Sequence, residues 1–154
     1  RMQSEYLRQL FLGNDLFEGR YRVDGRPLAL GDIRLPSFVV ATETDHVAPW
    51  RSVYKLNLAI GADMTFLLTS GGHNAGICSE PGHPRRHYRV LLLPHSENYI
   101  DPDRWLRCTP TREGSWWPAW ADWLERGQQR RPAHPVICKD RELPPAPGDY
   151  VLQK

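Results

Sequence analysis

Residues 35–76, LPSFVVATETDHVAPWRSVYKLNLAIGADMTFLLTSGGHNAG, decide the fold class of the chain. They open with a nearly continuous apolar run at 35–41, which is typical of a strand buried on both faces, as in a parallel sheet. After a proline, a good first-turn residue, the apolar side chains of 51–60 share one stripe, which predicts a helix that Gly61 ends. A second apolar run at 64–69 predicts another strand. The order strand, helix, strand is the βαβ unit, whose two strands run parallel.

An acid and a histidine follow these two predicted strands. Asp45 lies in the loop after the first strand, and His73 lies in the loop after the second. Neighbouring parallel strands lie about 4.8 Å apart, and open α/β sheets place their sites at the carboxyl ends of the strands. Asp45 can therefore accept from one ring nitrogen of His73 and leave the other nitrogen free as a base. Gly71, Gly72 and Gly76 around the histidine suit a tight turn with positive φ.

Two short elements precede this unit. The segment from Ser4, a candidate N-cap, to Gly13 predicts a short helix with its apolar residues on one face. The Asp-Gly pair at 24–25 predicts a hairpin turn, since apolar and polar residues alternate around it. Pro27 implies that the returning strand lies at an edge.

The chain after the unit is less regular. A brief apolar run at 90–93 precedes a connection that we expect to be irregular as far as about Glu113. Ser115 then caps a tryptophan-rich helix at 116–126. We expect the core-facing stripe of that helix to consist of Trp117, Trp120 and Leu124.

The sequence divides at residue 128. Residues 1–128 are predicted to form part of one α/β domain, and residues 129–154 a Pro-rich tail. Five prolines and little periodicity over 130–148 indicate that the tail is extended.

The composition excludes several classes of protein. The chain has 154 residues and a mass of 17.8 kDa, which fits one domain. Its mean hydropathy is −0.57, and no run approaches the roughly 18 apolar residues of a membrane span. The net charge of +2 provides no global field for nucleic acid. Cys78, Cys108 and Cys138 are few and widely spaced, which favours reduced thiols in the cytoplasm. Because the chain begins with Arg1, without a secretory signal, we expect it to be a piece of a longer protein.

Four motifs resemble one family. They are TDHVAPWRSVY at 44–54, SGGHNAG at 70–76, GSWWP at 114–118 and APGDYV at 146–151. In this order they resemble the C-terminal part of class I polyhydroxyalkanoate synthases, the poly(3-hydroxyalkanoate) polymerases, over essentially the whole chain. The resemblance implies an α/β-hydrolase fold with a triad of cysteine nucleophile, aspartate and histidine. On this match Asp45 is the triad acid and His73 the triad base, in the order that hydrolases use.

The resemblance also implies a reaction. The family takes (R)-3-hydroxyacyl-CoA, extends a polyhydroxyalkanoate polyester and releases CoA, and the class I likeness favours 3-hydroxybutyryl-CoA. CoA is therefore a product, and no cofactor is implied. The implied partners are the acyl-CoA, the growing polyester and the granule surface, in the cytoplasm and without nucleic acid.

The chain departs from the family in its nucleophile. Neither G-x-C-x-G nor G-x-S-x-G occurs in it, and the nearest string, GICSE at 76–80, has glutamate in place of the last glycine. Cys78 also lies only five residues beyond His73, and not on a strand-to-helix elbow. In the family the nucleophile lies far upstream, before a cap segment, so we expect this fragment alone to be inactive.

Five further residues are candidates for supporting roles. His46 is expected to support the neighbouring acid by a hydrogen bond, and Trp50 either packs in the core or lines an acyl pocket. Arg85, Arg86 and Arg89 are candidates for contacts with CoA phosphates, because guanidinium groups pair well with phosphate. Such a basic run is most often a solvated face.

A metal site is the weaker interpretation of the neighbouring residues. Cys78, His83 and His87 have a metal-like spacing, but a structural zinc site needs four ligands and this stretch supplies no clear fourth. We therefore predict no metal.

Two alternatives remain open. The chain could be the C-terminal part of an α/β-hydrolase or acyltransferase with a serine nucleophile. It could also be a non-catalytic module whose tryptophan helix and tail bind a granule or a partner. In each case an incomplete sheet exposes apolar edges, so we expect the isolated chain to form a homo-oligomer.

Overall fold

The computed structural model describes residues 2–127 and 147–153. The helices are α1 (Met2–Glu5, continued as a π-helix over Tyr6–Leu12), α2 (Trp50–Tyr54), α3 (Pro102–Cys108) and α4 (Trp117–Gly127). The strands are β1 (Arg22–Val23), β2 (Arg26–Pro27), β3 (Ser37–Thr42), β4 (Met64–Thr69), β5 (His87–Leu93) and β6 (Arg112–Glu113), and short 3-10 turns cover Leu30–Asp32, Lys55–Leu58 and Tyr150–Leu152. None of the helices within these residues is long and apolar enough to cross a membrane. Most of the predicted tail, and Cys138 with it, lies outside the described residues.

Strands β3 to β6 form one mixed sheet in chain order. β3 and β4 are parallel, in a register that runs from Ser37 opposite Met64 to Thr42 opposite Thr69. β5 pairs antiparallel with β4, and β6 pairs antiparallel with β5. The predicted βαβ unit and the α/β fold class are confirmed, and the chain reverses direction after β4.

The core lies on both faces of β4, because all six of its residues are buried. One face carries the larger cluster, which consists of Ala41, Trp50, Tyr54, Ile60, Met64, Phe66, Leu68, Leu93 and Trp105. On the other face Leu67 packs with Tyr88 and Trp116. β4 is therefore buried on both faces. The first four residues of β3, which the apolar run at 35–41 predicts to be buried on both faces, are only half-buried.

The crossover helix is shorter than predicted. The stretch at 51–60 forms α2 followed by a 3-10 turn. At the end of this turn the N–H groups of Ala59 and Ile60 both donate to the carbonyl of Leu56. Tyr54 at the end of α2 is fully buried, and its hydroxyl donates to the carbonyl of Ile100 over 2.8 Å. Burial raises the pKa of Tyr54 above its ordinary value. The crossover is thus fixed to the core through Tyr54.

The connection that was expected to be irregular as far as Glu113 contains α3, so that prediction is wrong. The side chain of Asp101 caps this helix, accepting from the N–H groups of Asp103 at 3.0 Å and Arg104 at 2.9 Å. Pro102 follows at the first helical position. The Asp-Pro pair is a helix-start signal, but seven residues are too few to show an apolar period.

Helix α4 is confirmed, but two of the three residues of its predicted core-facing stripe are exposed, and only Leu124 is partly buried. Ser115 caps it as expected, since its Oγ accepts from the N–H of Trp117 over 3.1 Å. Trp117 and Trp120 of the predicted stripe are 37% and 44% exposed. Trp116 is buried instead, and Trp123 lies 5.5 Å from the ring of Phe38 on β3. Trp116, which is buried just before the first turn, sets the rotation of α4 about its axis. The side of the helix that carries Trp123 therefore faces the sheet.

The N-terminal elements agree with the sequence in part. Asp24 and Gly25 have φ values of 50° and 77°, the conformation of a type I′ hairpin turn. β1 and β2 form a separate two-stranded sheet, so Pro27 lies at an edge as predicted. The first helix ends at Gly13 as expected, but Ser4 lies within α1, so its predicted N-cap role is wrong.

Replacing Trp105 by alanine is expected to lower the free energy of unfolding by about 3–5 kcal/mol, because a cavity would replace a large core side chain. Trp105 is fully buried, with its ring 5.0 Å from that of Phe66. Trp120→Ala is the matched control, with an expected cost of about 1 kcal/mol or less. Urea unfolding followed by far-UV circular dichroism measures both, and Trp105→Phe is the milder variant if alanine prevents folding. Equal losses at positions 105 and 120 would contradict this core.

Candidate active site

Two loops meet at the carboxyl ends of β3 and β4. The parallel ladder continues past the strands, since the N–H of Glu43 donates to Thr69 O over 2.9 Å and the N–H of Thr44 donates to Gly71 O over 3.1 Å. The loop after β3 is therefore hydrogen-bonded through its backbone to the loop after β4.

Asp45 and His73 contact each other across these loops. Asp45 Oδ2 lies 3.0 Å from His73 Nδ1. The Asp45 side chain is 9% exposed and that of His73 is 49% exposed. The acid is thus shielded, while the imidazole is open to a reacting group.

The second carboxylate oxygen of Asp45 organises its own loop. Oδ1 accepts from the N–H groups of Val47 at 2.8 Å and Ala48 at 2.9 Å. These bonds shape the turn that leads through Pro49 into α2. One carboxylate therefore orients the histidine and shapes the turn before the crossover helix.

The surroundings of Asp45 favour its charged form. The hydrogen bond from Ala48, followed by those from His73 and Val47, lowers the pKa of Asp45 from 3.8 to about 2. Desolvation opposes this shift but is outweighed. The carboxylate is consequently ionised at neutral pH.

An ionised Asp45 fixes the tautomer of His73. Because a carboxylate only accepts hydrogen bonds, Nδ1 of His73 must carry a proton. Nε2 is then the basic nitrogen, and it has no hydrogen-bond partner among the described residues. An imidazole oriented in this way can accept a proton from a nucleophile placed at Nε2.

The glycines of the His73 loop differ in their roles. Gly71 has φ +100° and needs the left-handed region, as predicted. Gly72 and Gly76 do not have positive φ, so the prediction is wrong for these two. Gly76 is instead required by close approach, because a Cβ there would lie 2.6 Å from Thr42 Cγ2 and 2.9 Å from Ser70 O.

The two predicted supporting residues lie apart from each other. His46 is exposed, and its side chain makes no hydrogen bond to the described residues. Trp50 is buried in the core, 6.1 Å from the ring of Trp105, and the guanidinium of Arg51 lies 4.6 Å from its ring centroid. Trp50 thus packs in the core.

The three predicted phosphate-binding arginines differ in their exposure and contacts. Arg85 is exposed with φ 59°, and Arg86 is half-buried, with Nη2 3.4 Å from His83 Nε2. Arg89 donates to the carbonyls of Leu106 and Thr109 at the end of α3. Arg89 is therefore engaged in capping α3.

A second histidine–carboxylate pair, which the sequence did not predict, lies at the same edge. His87 Nε2 lies 3.2 Å from Glu43 Oε1 and 3.1 Å from Glu43 Oε2. Glu43 is the first residue of the loop that carries Asp45, and His87 begins β5. The apolar run at 90–93 covers only the second half of β5. The sequence therefore did not predict the strand register that brings Glu43 and His87 together.

Cys78 lies exposed in the segment after His73. Within residues 2–127 and 147–153, no group of three or more His, Cys, Asp or Glu residues is arranged to hold a metal ion.

An Asp–His pair at the carboxyl edge of an α/β sheet is an arrangement that nucleophilic triads use. No family model matches the chain. The chain is 36% identical over 149 residues to the poly(3-hydroxyalkanoate) polymerase subunit of Rhizobium meliloti, 37% over 135 residues to poly(3-hydroxyalkanoate) polymerase 2 of Ectopseudomonas oleovorans, and 34% over 154 residues to the polymerase subunit of Cupriavidus necator.

These alignments cover 96%, 86% and 97% of this chain but only 24%, 23% and 25% of the relatives. The chain therefore spans about a quarter of the length of the curated relatives that it matches. The resemblance to the poly(3-hydroxyalkanoate) polymerases that the four motifs predict is confirmed.

Gly76→Ala is expected to destabilise the chain and to separate the two loops, because the added methyl group would overlap Thr42 and the backbone at Ser70. Gly72→Ala is the matched control in the same loop, since its Cβ would have an ordinary contact of 3.5 Å with Thr44 Oγ1. Thermal unfolding compares the two variants. An equal midpoint for both would contradict the close approach at Gly76.

Asp45→Asn is expected to make the fold less sensitive to acid. Folding lowers the pKa of Asp45 from 3.8 to about 2, so its stabilising effect is complete above pH 3.8 and is lost as the pH falls towards 2. The asparagine variant lacks this contribution, while Asp101, whose pKa is lowered by the hydrogen bond from the Arg104 N–H, is unchanged in both proteins. The measurement is the free energy of unfolding in urea from pH 5 to 2, with exposed Asp122→Asn as control. Parallel pH profiles for the wild type and Asp45→Asn would contradict the prediction.

Proposed function

We propose that the chain is the C-terminal portion of an α/β-hydrolase-type polyester synthase. The intact protein polymerises (R)-3-hydroxyacyl-CoA, with 3-hydroxybutyryl-CoA as the favoured substrate, into polyhydroxyalkanoate and releases CoA. Asp45 and His73 are the acid and base of its Cys-His-Asp triad. The chain covers only part of the relatives, so the nucleophile lies in another segment of the intact protein.

The contact between Asp45 and His73 carries this proposal. The two residues lie 3.0 Å apart, the acid is shielded, and the free ring nitrogen is exposed. The pair occurs in a chain that aligns over 96% of its length with a poly(3-hydroxyalkanoate) polymerase subunit.

The first half of the reaction loads the acyl group. His73 Nε2 takes the proton of the cysteine thiol, and the thiolate attacks the thioester carbonyl of the acyl-CoA. The bond between the carbonyl carbon and the CoA sulfur breaks, CoA leaves as a thiolate, and the protonated His73 returns the proton to it. The product is an acyl-enzyme thioester.

The second half extends the polyester. His73 Nε2 accepts the proton of a 3-hydroxyl group, whose oxygen attacks the acyl-enzyme thioester and forms the ester bond. The cysteine leaves and regains the proton from His73. Asp45 keeps the proton on Nδ1 throughout and stabilises the imidazolium, and general base catalysis of this kind contributes about 10²–10⁴-fold in rate.

Other parts of the proposal concern partners. Arg85 and Arg86 are candidates for contacts with CoA phosphates, and exposed Trp117 and Trp120 offer an aromatic surface for polyester or a granule. The intact protein works in the cytoplasm at the granule surface. Large exposed apolar side chains on the N-terminal helix, among them Phe11 at 67%, support self-association of the chain.

His73→Ala in the intact protein is expected to abolish CoA release, because no base then activates the nucleophile. CoA thiol formation from (R)-3-hydroxybutyryl-CoA measures the effect, with exposed His95→Ala as the matched control. Activity above about a tenth of the wild-type value is less loss than removing a general base causes, and would contradict the assignment.

The coding sequence upstream of residue 1 separates the proposed function from its alternatives. A G-x-C-x-G turn there supports polyester synthesis. A G-x-S-x-G turn would favour a serine hydrolase or acyltransferase. A start codon directly before residue 1 would leave a non-catalytic protein and overturn the proposal.

A further inference from the structure

Glu43, Ser70 and His87 form a row across three strands. The last residue pairs of the ladders are Thr42 with Thr69, and Thr69 with Tyr88. One residue further along, the row is held by bonds from Glu43 N to Thr69 O at 2.9 Å and from Ser70 N to His87 O at 2.9 Å. Since paired residues point to the same face of a sheet, the three side chains share one face.

Glu43 and His87, the outer two residues of the row, contact each other across Ser70. Strands two places apart lie about 9–10 Å from each other, yet His87 Nε2 reaches both carboxylate oxygens of Glu43 within 3.2 Å. Ser70 is small and buried, and its Oγ accepts from the N–H of His87 over 3.1 Å. A small residue at 70 thus leaves room for the pair to span β4.

The span crosses the point where the His73 loop begins. Ser70 is the first residue after β4, and Gly71 to Gly76 complete the loop. On one side the backbone of this loop is bonded to Thr44, and on the other side Ser70 is bonded to His87. The Glu43–His87 pair links the end of β3 to β5, the two strands on either side of the His73 loop.

We propose that Glu43 and His87 are positioning residues that hold the strands on either side of the His73 loop at a fixed distance, and so keep His73 oriented towards Asp45. This inference rests on the proposed function of His73. The pair acts through the loop and touches neither His73 nor Asp45 in the structure.

Because the pair is partly exposed, its role in positioning can be tested apart from any role in stability. The Glu43 and His87 side chains are 31% and 36% exposed, and side-chain pairs with that much solvent contact contribute little to the free energy of unfolding. Breaking the pair is therefore expected to leave the chain folded. Its effect is expected on the tautomer and reactivity of His73.

The ¹⁵N chemical shifts of the His73 ring in this chain test the proposal directly. In the wild type, neutral His73 is expected to carry its proton on Nδ1. Glu43→Ala and His87→Ala are each expected to shift the population towards the Nε2-protonated form, and the double variant is expected to shift it no further. Glu43→Gln, which keeps an acceptor of equal length, is expected to restore most of the wild-type shifts. Exposed Glu125→Ala is the matched control.

The intact protein provides the kinetic test. Either alanine variant is expected to lower kcat for CoA release about 3-fold to 10-fold with KM for the acyl-CoA unchanged, because His73 is misplaced while substrate contacts remain. Unchanged His73 shifts in both variants would overturn the proposal. A loss with His87→Ala far greater than with Glu43→Ala would also overturn it, because His87 would then act in the reaction itself. If His73→Ala retains activity, the proposed function fails, but the chemical shifts still decide whether the pair positions the imidazole.

Discussion

The in-register parallel pairing of β3 with β4 is the constraint on which the rest of the structure depends. Six residue pairs join the strands, and β4 is buried along its whole length, so neither strand can slip without exposing core side chains. Both strands end together at Thr42 and Thr69, and two more backbone bonds tie the following loops. Asp45 and His73 therefore leave a rigid edge only a few residues after the last fixed pair, which allows a short side-chain contact between two loops.

The carboxylate of Asp45 couples that edge to the remainder of the fold. Its two oxygens have separate tasks, one orienting His73 and the other shaping the turn before α2. α2 in turn supplies Trp50 and Tyr54 to the core beside Phe66. The same donors that order the turn also keep the acid ionised. Local structure and acid–base chemistry thus depend on one side chain.

How well the sequence predicts each element depends on whether its signal is local. β4 is correct at both ends because six consecutive apolar and β-prone residues leave no other assignment. α3 was missed because its start signal at 101–102 precedes a helix of only seven residues, which is too short to show an apolar period. The orientation of α4 was misjudged because burial of Trp116 against the sheet, a tertiary contact, decides which stripe faces inward. The sequence indicated that Gly76 is a turn glycine. Glycine is required there because Thr42 on β3 lies too close to leave room for a side chain at position 76.

By itself the sequence determined the strand, helix, strand order, the hairpin turn, the placement of Asp45 and His73 after successive strands, and the resemblance to the polymerases. These follow from periodicity, turn chemistry and motif order, all of which are local. Strand order also predicted that Asp45 can bond His73. Only the tertiary structure decided the distance of that bond, the second role of Asp45 in shaping its own turn, and the contact of Glu43 with His87 across Ser70. Both contacts join residues at least 28 positions apart in the chain, and their distances are set by strand register and packing, which a single sequence does not contain.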